Sequence, residues 1–446
     1  MKTPICDFVK EYTKKSPLRM HMPGHKGASV LGVENIDITE IDGADDLYHA
    51  DGIIKESELN AGSLFGANTF YSTEGSSLSI RAALYLAVKH AKAQGVRPII
   101  AAGRNAHKVF LSSAALLDFD IVWLKPENCD NYLSCNIDAE YLDHALSLEK
   151  VKPIAVYITS PDYLGHITDI KAIKRVCDKY GCLLIIDNAH GAYLNFLSNN
   201  LHPISLGADI CLDSAHKTLP ALTGGAYLHI SKSAPKNLVD GAKNALALFG
   251  STSPSYLVLQ SLDALNKILA NDYKTKLNDT VLRIEKLKNL LTNSGYTLYG
   301  NEPLKITIVA KEYGYTGEEL NTKLNEKNIF VEFYDPDFIV LMPTTNTTPS
   351  DFKRLEKALL SIKKRPPLSA LPPRFQLPQK AISVRDALLS PSKTVDVNSA
   401  LGKVLADISV SCPPAIPIVV SGEIIDQNSI ELFKYYGIKS CEIIDE

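Results

Sequence analysis

Short apolar runs alternate with helical segments between about Tyr71 and His229, and this alternation constrains the fold more than any other feature. Strands separated by helices form a mostly parallel sheet that helices cover on its faces. The predicted helix Ile170–Tyr180, closed by Gly181, is one such crossover. The sequence therefore predicts an α/β fold with a large, mostly parallel sheet. The runs predicted as its strands are Pro98–Ala102, Ile121–Leu124, Ile154–Thr159, Leu183–Asp187, Ile210–Asp213 and Ala226–Ile230.

Segments outside this region divide the chain into further parts. We expect an N-terminal arm with functional loops over residues 1–65, a large domain over 66–260, a small α+β domain over 261–364 and a C-terminal α+β domain over 375–446. A helix is predicted from Cys6 to Lys15, and such an arm usually packs on a neighbouring subunit. The proline-rich segment 365–374 marks the clearest boundary.

Periodicity and turn residues predict the remaining elements. Between His21 and about Phe65 there is little periodicity and Asp and Gly are frequent, so loops are expected there. A long helix is predicted over about Tyr256 to Leu291. The other predicted segments are the strands Lys305–Ala310, Ile329–Phe333 and Phe338–Met342 and the helices Gly317–Lys327, Ser350–Lys363 and Val397–Leu405.

Composition excludes several classes of function. The chain has 446 residues, of which 45% are hydrophobic and 22% charged, with a formal net charge of −3. This balance is typical of a multi-domain globular enzyme and argues against nucleic acid or a membrane surface as a partner. No pair among the eight cysteines has Cys-x-x-Cys spacing, so we expect reduced thiols and no metal site. No apolar run reaches the roughly 18 residues of a spanning helix, and a cytoplasmic location is expected.

Two ionisable residues stand at the ends of predicted strands. Asp187 follows the apolar run Cys182–Ile186, and Lys217 follows Ser214 and His216 in a nearly uncharged setting. Ligands of open α/β sheets bind at the carboxyl ends of the strands. A lysine in apolar surroundings loses hydration of its ammonium, its pKa falls, and the free amine becomes a nucleophile toward an aldehyde. Taken singly, a surface lysine and a loop acid are the plainer interpretations.

Two further segments predict a phosphate site and an imidazole that lies flat on a ligand ring. Gly75, Ser76 and Ser77 precede the helical run Leu78–Ala91, so backbone N–H groups, hydroxyls and the helix dipole converge there. His107 follows another predicted strand, where an imidazole can lie flat on an aromatic ring, although a lone histidine is more often structural. The reactive lysine suits an aldehyde, the N-terminus of the helix suits a phosphate, and Asp187 can keep a ring nitrogen protonated. Pyridoxal phosphate carries all three groups, so the pattern indicates it as the cofactor.

The order of these motifs resembles the Orn/Lys/Arg decarboxylase family, pyridoxal-phosphate enzymes of aspartate-aminotransferase fold. His21-Met-Pro-Gly-His-Lys-Gly27 and the segment from Asp45 to Glu56 resemble two long family motifs. Residues 413–423 resemble the signature of the family's C-terminal domain. The resemblance covers nearly the whole chain. It implies decarboxylation of arginine, lysine or ornithine to the corresponding amine by a homodimer or larger homo-oligomer.

The resemblance also implies roles for individual residues. Lys217 holds the cofactor, Asp187 pairs with its ring nitrogen, His107 stacks on its ring, and His216 or another acid protonates Cα. The residues expected to bind the cofactor are Gly75, Ser76, Ser77, His107, Asp187, His190, Ser214, Lys217 and Ser253, the last reaching a partner subunit's phosphate. The candidates for the substrate are His25, Asp162, Glu332 and Glu423.

Several positions depart from the family pattern and leave alternatives open. Asn188 stands where Glu is common, Asp162 where Thr is usual, and Gly224 where Gln is frequent; Ala415 and Ser421 alter the C-terminal signature. Transamination or Cα–Cβ cleavage uses the same Lys217 and Asp187. A non-catalytic regulator on the same fold is a third interpretation, although such a protein has no need of these residues.

Overall fold

The computed structural model describes residues 1–126, 131–408 and 414–445. Backbone packing divides the chain into two compact units. The first unit comprises Met1–Pro98, Ile154–Val156 and Cys177–Leu277, and the second comprises Ile99–Pro153, Tyr157–Val176 and Asn278–Glu446. Within the described residues, no helix is both long and apolar enough to cross a membrane. Two of the eight cysteines, Cys129 and Cys412, and Pro413 of the C-terminal signature lie outside the described residues.

The order of helices and strands follows the alternating pattern of the sequence. The helices are α1 (Pro4–Lys14), α2 (Ile53–Phe65), α3 (Gly75–Ala93), α4 (Lys108–Leu117), α5 (Ala139–Leu148), α6 (Ile170–Tyr180), α7 (Ala215–Thr218), α8 (Lys236–Phe249), α9 (Tyr256–Ala270), α10 (Tyr273–Asn293), α11 (Gly317–Asn325), α12 (Pro349–Leu360), α13 (Val384–Leu389) and α14 (Gln427–Tyr435). The strands are β1 (Ala67–Ser72), β2 (Ile99–Gly103), β3 (Asp120–Leu124), β4 (Ala155–Thr159), β5 (Leu183–Asp187), β6 (Ile210–Asp213), β7 (Ala226–Ser231), β8 (Leu298–Tyr299), β9 (Ile306–Val309), β10 (Phe333–Tyr334), β11 (Phe338–Leu341), β12 (Ser392–Asp396) and β13 (Ser440–Ile444).

A seven-stranded sheet of order β1-β7-β6-β5-β4-β2-β3 confirms the predicted α/β class. Every residue of β5 is buried, which agrees with its continuous run of Leu and Ile. Strands β5 and β6 are parallel, as are β2 and β3. The sheet is nevertheless mixed, because β7 runs antiparallel to both β6 and β1. Only the four-residue helix α7 lies between β6 and β7, so no full crossover helix returns the chain to a parallel strand.

The expected loop region between His21 and Phe65 contains a helix that the sequence analysis missed. Helix α2 has 13 residues, and the Asp45 carboxylate accepts hydrogen bonds of 2.9 Å from the backbone N–H groups of Gly52 and Ile54 at its start. The helix ends at Phe65, and the next residue, Gly66, caps it with a left-handed φ of 69°. The distant Asp45 cap and the helix's weak amphipathic pattern explain why loops were predicted instead.

The N-terminal arm packs on its own chain, and its expected packing on a neighbour stays a prediction. Helix α1 buries Ile5 and Val9 and contacts α2 and α9. The backbone N–H of Cys6 donates to Asp263 Oδ2 at 3.0 Å, and Ser57 Oγ donates to Asp263 Oδ1 at 2.6 Å. The Asp263 carboxylate thus joins α1, α2 and α9 in the first unit.

Three predicted elements differ from the structure. The long helix breaks at Asn271, whose ψ of −108° is not helical, so α9 and α10 are separate. Residues Val397–Ser399 form a 3-10 turn, and Val404 and Leu405 form isolated antiparallel bridges, so the predicted helix Val397–Leu405 was wrong. The strand predicted over Ile329–Phe333 is limited to β10. In each case tertiary pairing or a polar break overrides local propensity.

A buried cluster of the second unit joins the small sheet to the C-terminal residues. The four-stranded sheet has order β10-β11-β9-β8, and β12 pairs with β13. Phe333 and Val340 of the small sheet pack in the same cluster as Phe375, Ile425 and Phe433. The six cysteines of the described residues form no disulfide, and their reduced state stays a prediction.

Candidate active site

The parallel pairing of β5 and β6 brings the main candidate residues to one edge of the sheet. Asp187, the last residue of β5, is paired in register with Leu212 of β6, and Ser214 follows directly after β6. The Asp187 side chain is 2% exposed, and its Oδ1 accepts a hydrogen bond of 3.2 Å from the backbone N–H of Ala189. A buried carboxylate therefore lies at the carboxyl end of the strand, where ligands of such sheets bind.

Lys217 lies in the short helix α7 beside a second histidine. Its Nζ is 3.1 Å from Nε2 of His190, which follows β5 in the same unit. Lys217 is half-buried, and its neighbour Thr218 is buried. The arrangement places an amine next to an imidazole in a partly desolvated setting, as a reactive lysine requires.

The N-terminus of α3 forms a cradle for an anion. Ser214 Oγ donates to Ser76 Oγ at 2.8 Å, so the end of β6 meets the first turn of the helix. Ser76 and Ser77 are half-buried, and the N–H groups of a first turn have no partner within the helix. These hydroxyl and N–H groups together are suited to bind a phosphate.

Two glycines set the shape of this cradle. The backbone N–H of Gly75 donates to Gly224 O at 2.8 Å. Gly224 has a left-handed φ of 95°, and a Cβ there would lie 2.6 Å from Thr73 O. No side chain at position 224, glutamine included, has room in this backbone.

His216 is held by the same turn. Its Nδ1 lies 3.0 Å from Gly225 O, which fixes Nδ1 as the protonated nitrogen. Burial lowers the pKa of His216, the hydrogen bond to Gly225 partly offsets this, and the charge of Lys217 lowers the pKa further. The ring is therefore mostly neutral near pH 7.

A buried network behind Asp187 was missed in the sequence analysis. Asp213 Oδ2 lies 3.0 Å from His202 Nε2 and 3.3 Å from His229 Nε2, and Asn188 Nδ2 donates to Asp213 Oδ1 at 2.7 Å. Burial alone raises the pKa of Asp213, but the two imidazoles more than offset it and hold the pKa well below its usual range. Asn188 thus has a negatively charged partner, which explains an amide beside Asp187. His202 lies on a loop and Asp213 on a strand, 11 residues apart, and no local sequence motif predicts the pair.

The same network contains three possible metal ligands, although no metal site was predicted. Ligand atoms of His202, Cys211 and Asp213 lie within 4.8 Å of one another. Cys211 Sγ is 3.4 Å from Asp213 Oδ1, and all three side chains are buried. Hydrogen bonds within the network account for these short distances.

Two further candidates of the first unit have local partners. His25 Nε2 lies 3.2 Å from Asp37 Oδ2, and His25 Nδ1 accepts from Gly27 N at 2.9 Å. Ser253 is exposed ahead of α9, and its N–H donates to Ser251 Oγ at 3.1 Å. Their proposed contacts with substrate and with a partner's cofactor remain predictions.

His107 lies in the second unit, where it caps a helix. It is the N-cap of α4, and its Nδ1 accepts from the backbone N–H of Val109 at 3.2 Å. The imidazole therefore stabilises the start of α4. Its stacking on a cofactor ring remains a prediction.

Asp162, in the second unit, is buried and hydrogen bonded. Its Oδ1 accepts from His166 N at 2.8 Å, and its Oδ2 accepts from the Ser134 hydroxyl. Burial raises the pKa of this carboxyl, and these hydrogen bonds partly offset the shift. The nearby Lys305 Nζ donates to the Asp162 carbonyl and pairs with Glu302 at 3.0 Å. The carboxylate thus already has protein partners on both oxygens.

Glu332 and Glu423 differ sharply in exposure. Glu332 is exposed, and its Oε1 accepts from the Tyr163 hydroxyl at 3.0 Å. Glu423 is 4% exposed and pairs with Arg104 at 3.1 Å. Arg104 also donates to the carbonyls of Pro417 and Ile418 at 3.0 and 2.9 Å. The C-terminal signature is therefore bound to the end of β2 by a buried ion pair.

The first unit fits pyridoxal phosphate at each contact that can be tested. The α3 cradle with Ser76 and Ser214 suits its phosphate, the buried Asp187 suits a protonated ring nitrogen, and Lys217 offers an amine. Solved structures that share this α/β architecture include an alanine–glyoxylate aminotransferase from Nostoc, with a TM-score of 0.53 at 16% identity. This likeness shows the fold.

Comparison with known proteins identifies the family. The model of the major domain of Orn/Lys/Arg decarboxylases matches residues 3–307. An arginine decarboxylase of Bacillus anthracis is 27% identical over 97% of this chain and 92% of its own length. An uncharacterized protein of Bacillus subtilis, YaaO, is 30% identical over 97% and 93%. The lysine decarboxylase structure from Francisella novicida superimposes with a TM-score of 0.81 at 16% identity, covering 99% of this chain and 81% of that one.

The chain therefore belongs to the Orn/Lys/Arg decarboxylase family. It is a pyridoxal-phosphate-dependent amino-acid decarboxylase, as the motifs indicated.

We expect Gly224→Ala to destabilise the protein more than Gly181→Ala. Both glycines have left-handed φ, which costs an alanine about 1–2 kcal/mol, but a Cβ on Gly181 has no atom within 4 Å. The clash with Thr73 O adds about 1–3 kcal/mol at position 224. Urea unfolding of the two variants measures the difference. Equal losses would show that the Thr73 backbone moves aside freely.

We expect Glu423→Gln to lower the free energy of unfolding by about 3–5 kcal/mol, because it leaves the buried Arg104 charge without its partner. Glu326→Gln, at an exposed position on the C-terminal side of α11, is the matched control and should change stability by less than about 0.5 kcal/mol. Denaturant unfolding monitored by circular dichroism measures both changes in the free energy of unfolding. A loss at Glu423 no greater than the control's would contradict a structural role for the pair.

Proposed function

We propose that this protein decarboxylates a basic amino acid, with arginine or lysine preferred over ornithine. The proposal is supported by the family assignment and by relatives named as arginine decarboxylases. Solved neighbours named as lysine decarboxylases share the fold. The observation that carries the proposal is the grouping of Lys217, Asp187 and the Ser76–Ser214 pair in one unit.

Each of these residues has a task in the proposed reaction. Pyridoxal phosphate, when bound, supplies a ring that accepts the electron pair left at Cα when carbon dioxide departs. Lys217 provides the amine that holds the cofactor, and Asp187 keeps a proton on the ring nitrogen. Ser76, Ser77 and Ser214 bind the phosphate at the N-terminus of α3. Fixed orientation of the substrate carboxylate decides which bond at Cα breaks.

Reprotonation of Cα needs an acid, and His216 is one candidate. Its lowered pKa makes the imidazolium scarce at pH 7, yet that form gives up its proton readily. The hydrogen bond from Nδ1 to Gly225 O leaves Nε2 as the nitrogen that can exchange a proton. His216 therefore acts through Nε2 in this proposal.

Glu332 is the best supported of the acidic candidates for the distal cation of the substrate. It is exposed, whereas Asp162 and Glu423 are buried and already bonded to protein groups. A charge-assisted hydrogen bond is worth about 1.5–3 kcal/mol, enough to select a basic side chain over a neutral one. Glu332 therefore takes this role in our proposal.

A homodimer or larger homo-oligomer is part of the same proposal. The segment after α1 exposes Leu18, Met20, Met22, Val30 and Leu31, with exposed fractions of 65–87%. Such a density of exposed apolar side chains is typical of a surface covered by another chain. The exposed Ser253 remains our candidate for contact with a partner's cofactor.

We expect borohydride reduction of the loaded protein to attach the cofactor to the peptide that contains Lys217. Lys217→Ala should abolish the attachment, because no other amine replaces it at the end of β6. Lys232→Ala, an exposed lysine that follows β7, should label as the native protein does. Peptide mapping by mass spectrometry is the measurement. A label on any other lysine would overturn the assignment of the site.

We expect carbon dioxide release to be fastest with arginine or lysine, slower with ornithine and poor with neutral analogues of equal length. Glu332→Gln should lower kcat/KM for the preferred substrate by about 10- to 100-fold, which corresponds to ~1.5–3 kcal/mol. Glu326→Gln serves again as control. Fastest release from an acidic or aromatic amino acid, or transamination or Cα–Cβ cleavage without carbon dioxide, would contradict the proposed reaction.

A further inference from the structure

A chain of buried hydrogen bonds crosses four adjacent strands of the seven-stranded sheet. It begins at Thr69 on β1, whose hydroxyl oxygen lies 2.9 Å from His229 Nδ1 on β7. His229 Nε2 lies 3.3 Å from Asp213 Oδ2 at the end of β6, and Asn188, which follows β5, donates to Asp213 Oδ1 at 2.7 Å. The strand order β1-β7-β6-β5 makes these residues successive neighbours. The bonds therefore run from the edge strand of the sheet to the residue next to Asp187.

Asp213 is the acceptor at the centre of this chain. A carboxylate only accepts, so His202, His229 and Asn188 donate to it. A proton on His229 Nε2 leaves Nδ1 free to accept from the Thr69 hydroxyl. Burial lowers the pKa of His229, and the hydrogen bond to Asp213 opposes the shift, which agrees with a neutral ring in this tautomer. The fully buried Asp213 carboxylate is thus fixed in direction by donors from three other segments.

Asn188 carries this restraint to the turn after β5. Its side chain is fully buried, and its Oδ1 has no hydrogen-bond partner among the described residues, so Nδ2 is the atom that fixes the amide. Its backbone N–H donates to Leu212 O at 3.0 Å, and its carbonyl accepts from Gly191 N at 2.8 Å. The bond to Asp213 therefore holds the residue that connects the end of β5 to the turn 188–191.

The same turn carries two groups of the candidate active site. Asp187 directly precedes Asn188, and its Oδ1 accepts from Ala189 N at 3.2 Å. His190 lies in the turn, with its Nε2 3.1 Å from Lys217 Nζ. A displacement of Asn188 would move both the Asp187 carboxylate and the His190 ring. The direction of both groups is therefore linked to the bond between Asn188 and Asp213.

The charge of Asp213 also determines which residue fits at position 188. The family commonly has Glu there, and a carboxylate at 188 would face the Asp213 carboxylate in the interior. Two buried like charges at hydrogen-bond distance repel, and one of them must take up a proton. An amide avoids this repulsion and donates a hydrogen bond. Asn188 and Asp213 therefore form a matched pair.

We propose that Asp213 is a positioning residue of the cofactor site, and that through Asn188 it holds the Asp187 carboxylate in the direction that the ring nitrogen of pyridoxal phosphate requires. Hydrogen bonds behind a binding group set its orientation, and their loss weakens binding without removing the group. Asp213 is fully buried and acts only through its neighbours. The proposal rests on the proposed function, in which Asp187 keeps a proton on the ring nitrogen.

The test compares two ligands of the cofactor-free protein: pyridoxal phosphate and deazapyridoxal phosphate, in which a C–H group replaces the ring nitrogen. Both carry the aldehyde and the phosphate, so contacts with Lys217 and with the α3 cradle are shared. The ratio of the two dissociation constants reports the contact at the ring nitrogen. Equilibrium titration followed by absorbance measures both constants. The native protein should bind pyridoxal phosphate about tenfold more tightly, the size of one charge-assisted hydrogen bond.

Two variants should lower this ratio toward one. Asp213→Asn keeps the shape of the side chain and removes its charge, and Asn188→Ala removes the link to Asp187. The double variant should lower the ratio no further, because both residues act along one path. Asp209→Asn is the matched control, since Asp209 is buried at the opposite end of β6 and its Oδ2 accepts from Leu184 N at 2.7 Å. It should keep the native ratio.

Thermal unfolding of the cofactor-free variants shows whether each one is folded. Asn188→Ala leaves Asp213 and both histidines in place, so it decides the question if Asp213→Asn does not fold. A native ratio in folded Asn188→Ala, an equal loss of affinity for both ligands, or the same fall in Asp209→Asn would overturn the proposal. A ratio near one in the native protein would contradict the role of Asp187 itself, so failure of the proposed function is recognised separately.

Discussion

The parallel pairing of β5 and β6 is the constraint on which the candidate active site depends. Parallel neighbours end at the same edge of a sheet, so the carboxylate of Asp187 and the turn carrying Ser214 and Lys217 emerge together although they are far apart in sequence. The N-terminus of α3 reaches the same edge through the Ser76–Ser214 hydrogen bond. Because each contact originates at the end of a buried element, the groups are held by the core and not by mobile loops.

Behind this edge lies a layer of buried polar groups. Such groups destabilise the fold unless they are paired. Asp213 satisfies this condition through His202, His229 and Asn188, and its pKa is held low by the two imidazoles against the effect of burial. Asn188 is therefore part of a network that supports the strand end carrying Asp187. The amide at this position, which departs from the family pattern, is matched to a charged partner on the next strand.

Buried acids elsewhere in the chain fall into two kinds. Asp162 and Glu423 have protein donors, and their main effect is on folding: Glu423 binds a C-terminal segment to Arg104, 319 residues away. Asp335 has one buried oxygen without a hydrogen-bond partner among the described residues. The first kind stabilises the fold, and the second kind keeps an unsatisfied acceptor. Pairing, and not burial alone, decides whether a buried acid stabilises the fold.

The sequence alone determined the α/β class, the strands β5 and β6 and the grouping of motifs that indicated the family, because apolar periodicity and strand-end residues are short-range signals. It failed for α2, whose cap Asp45 is distant from the helix start, and for the predicted helix Val397–Leu405, which forms a 3-10 turn and two isolated bridges instead. Only the tertiary structure decided that Gly224 must be glycine, that Asp213 pairs with two histidines and that Glu423 is bound to Arg104. These outcomes depend on contacts between residues far apart in the chain, and no local pattern encodes which distant group will satisfy a buried charge.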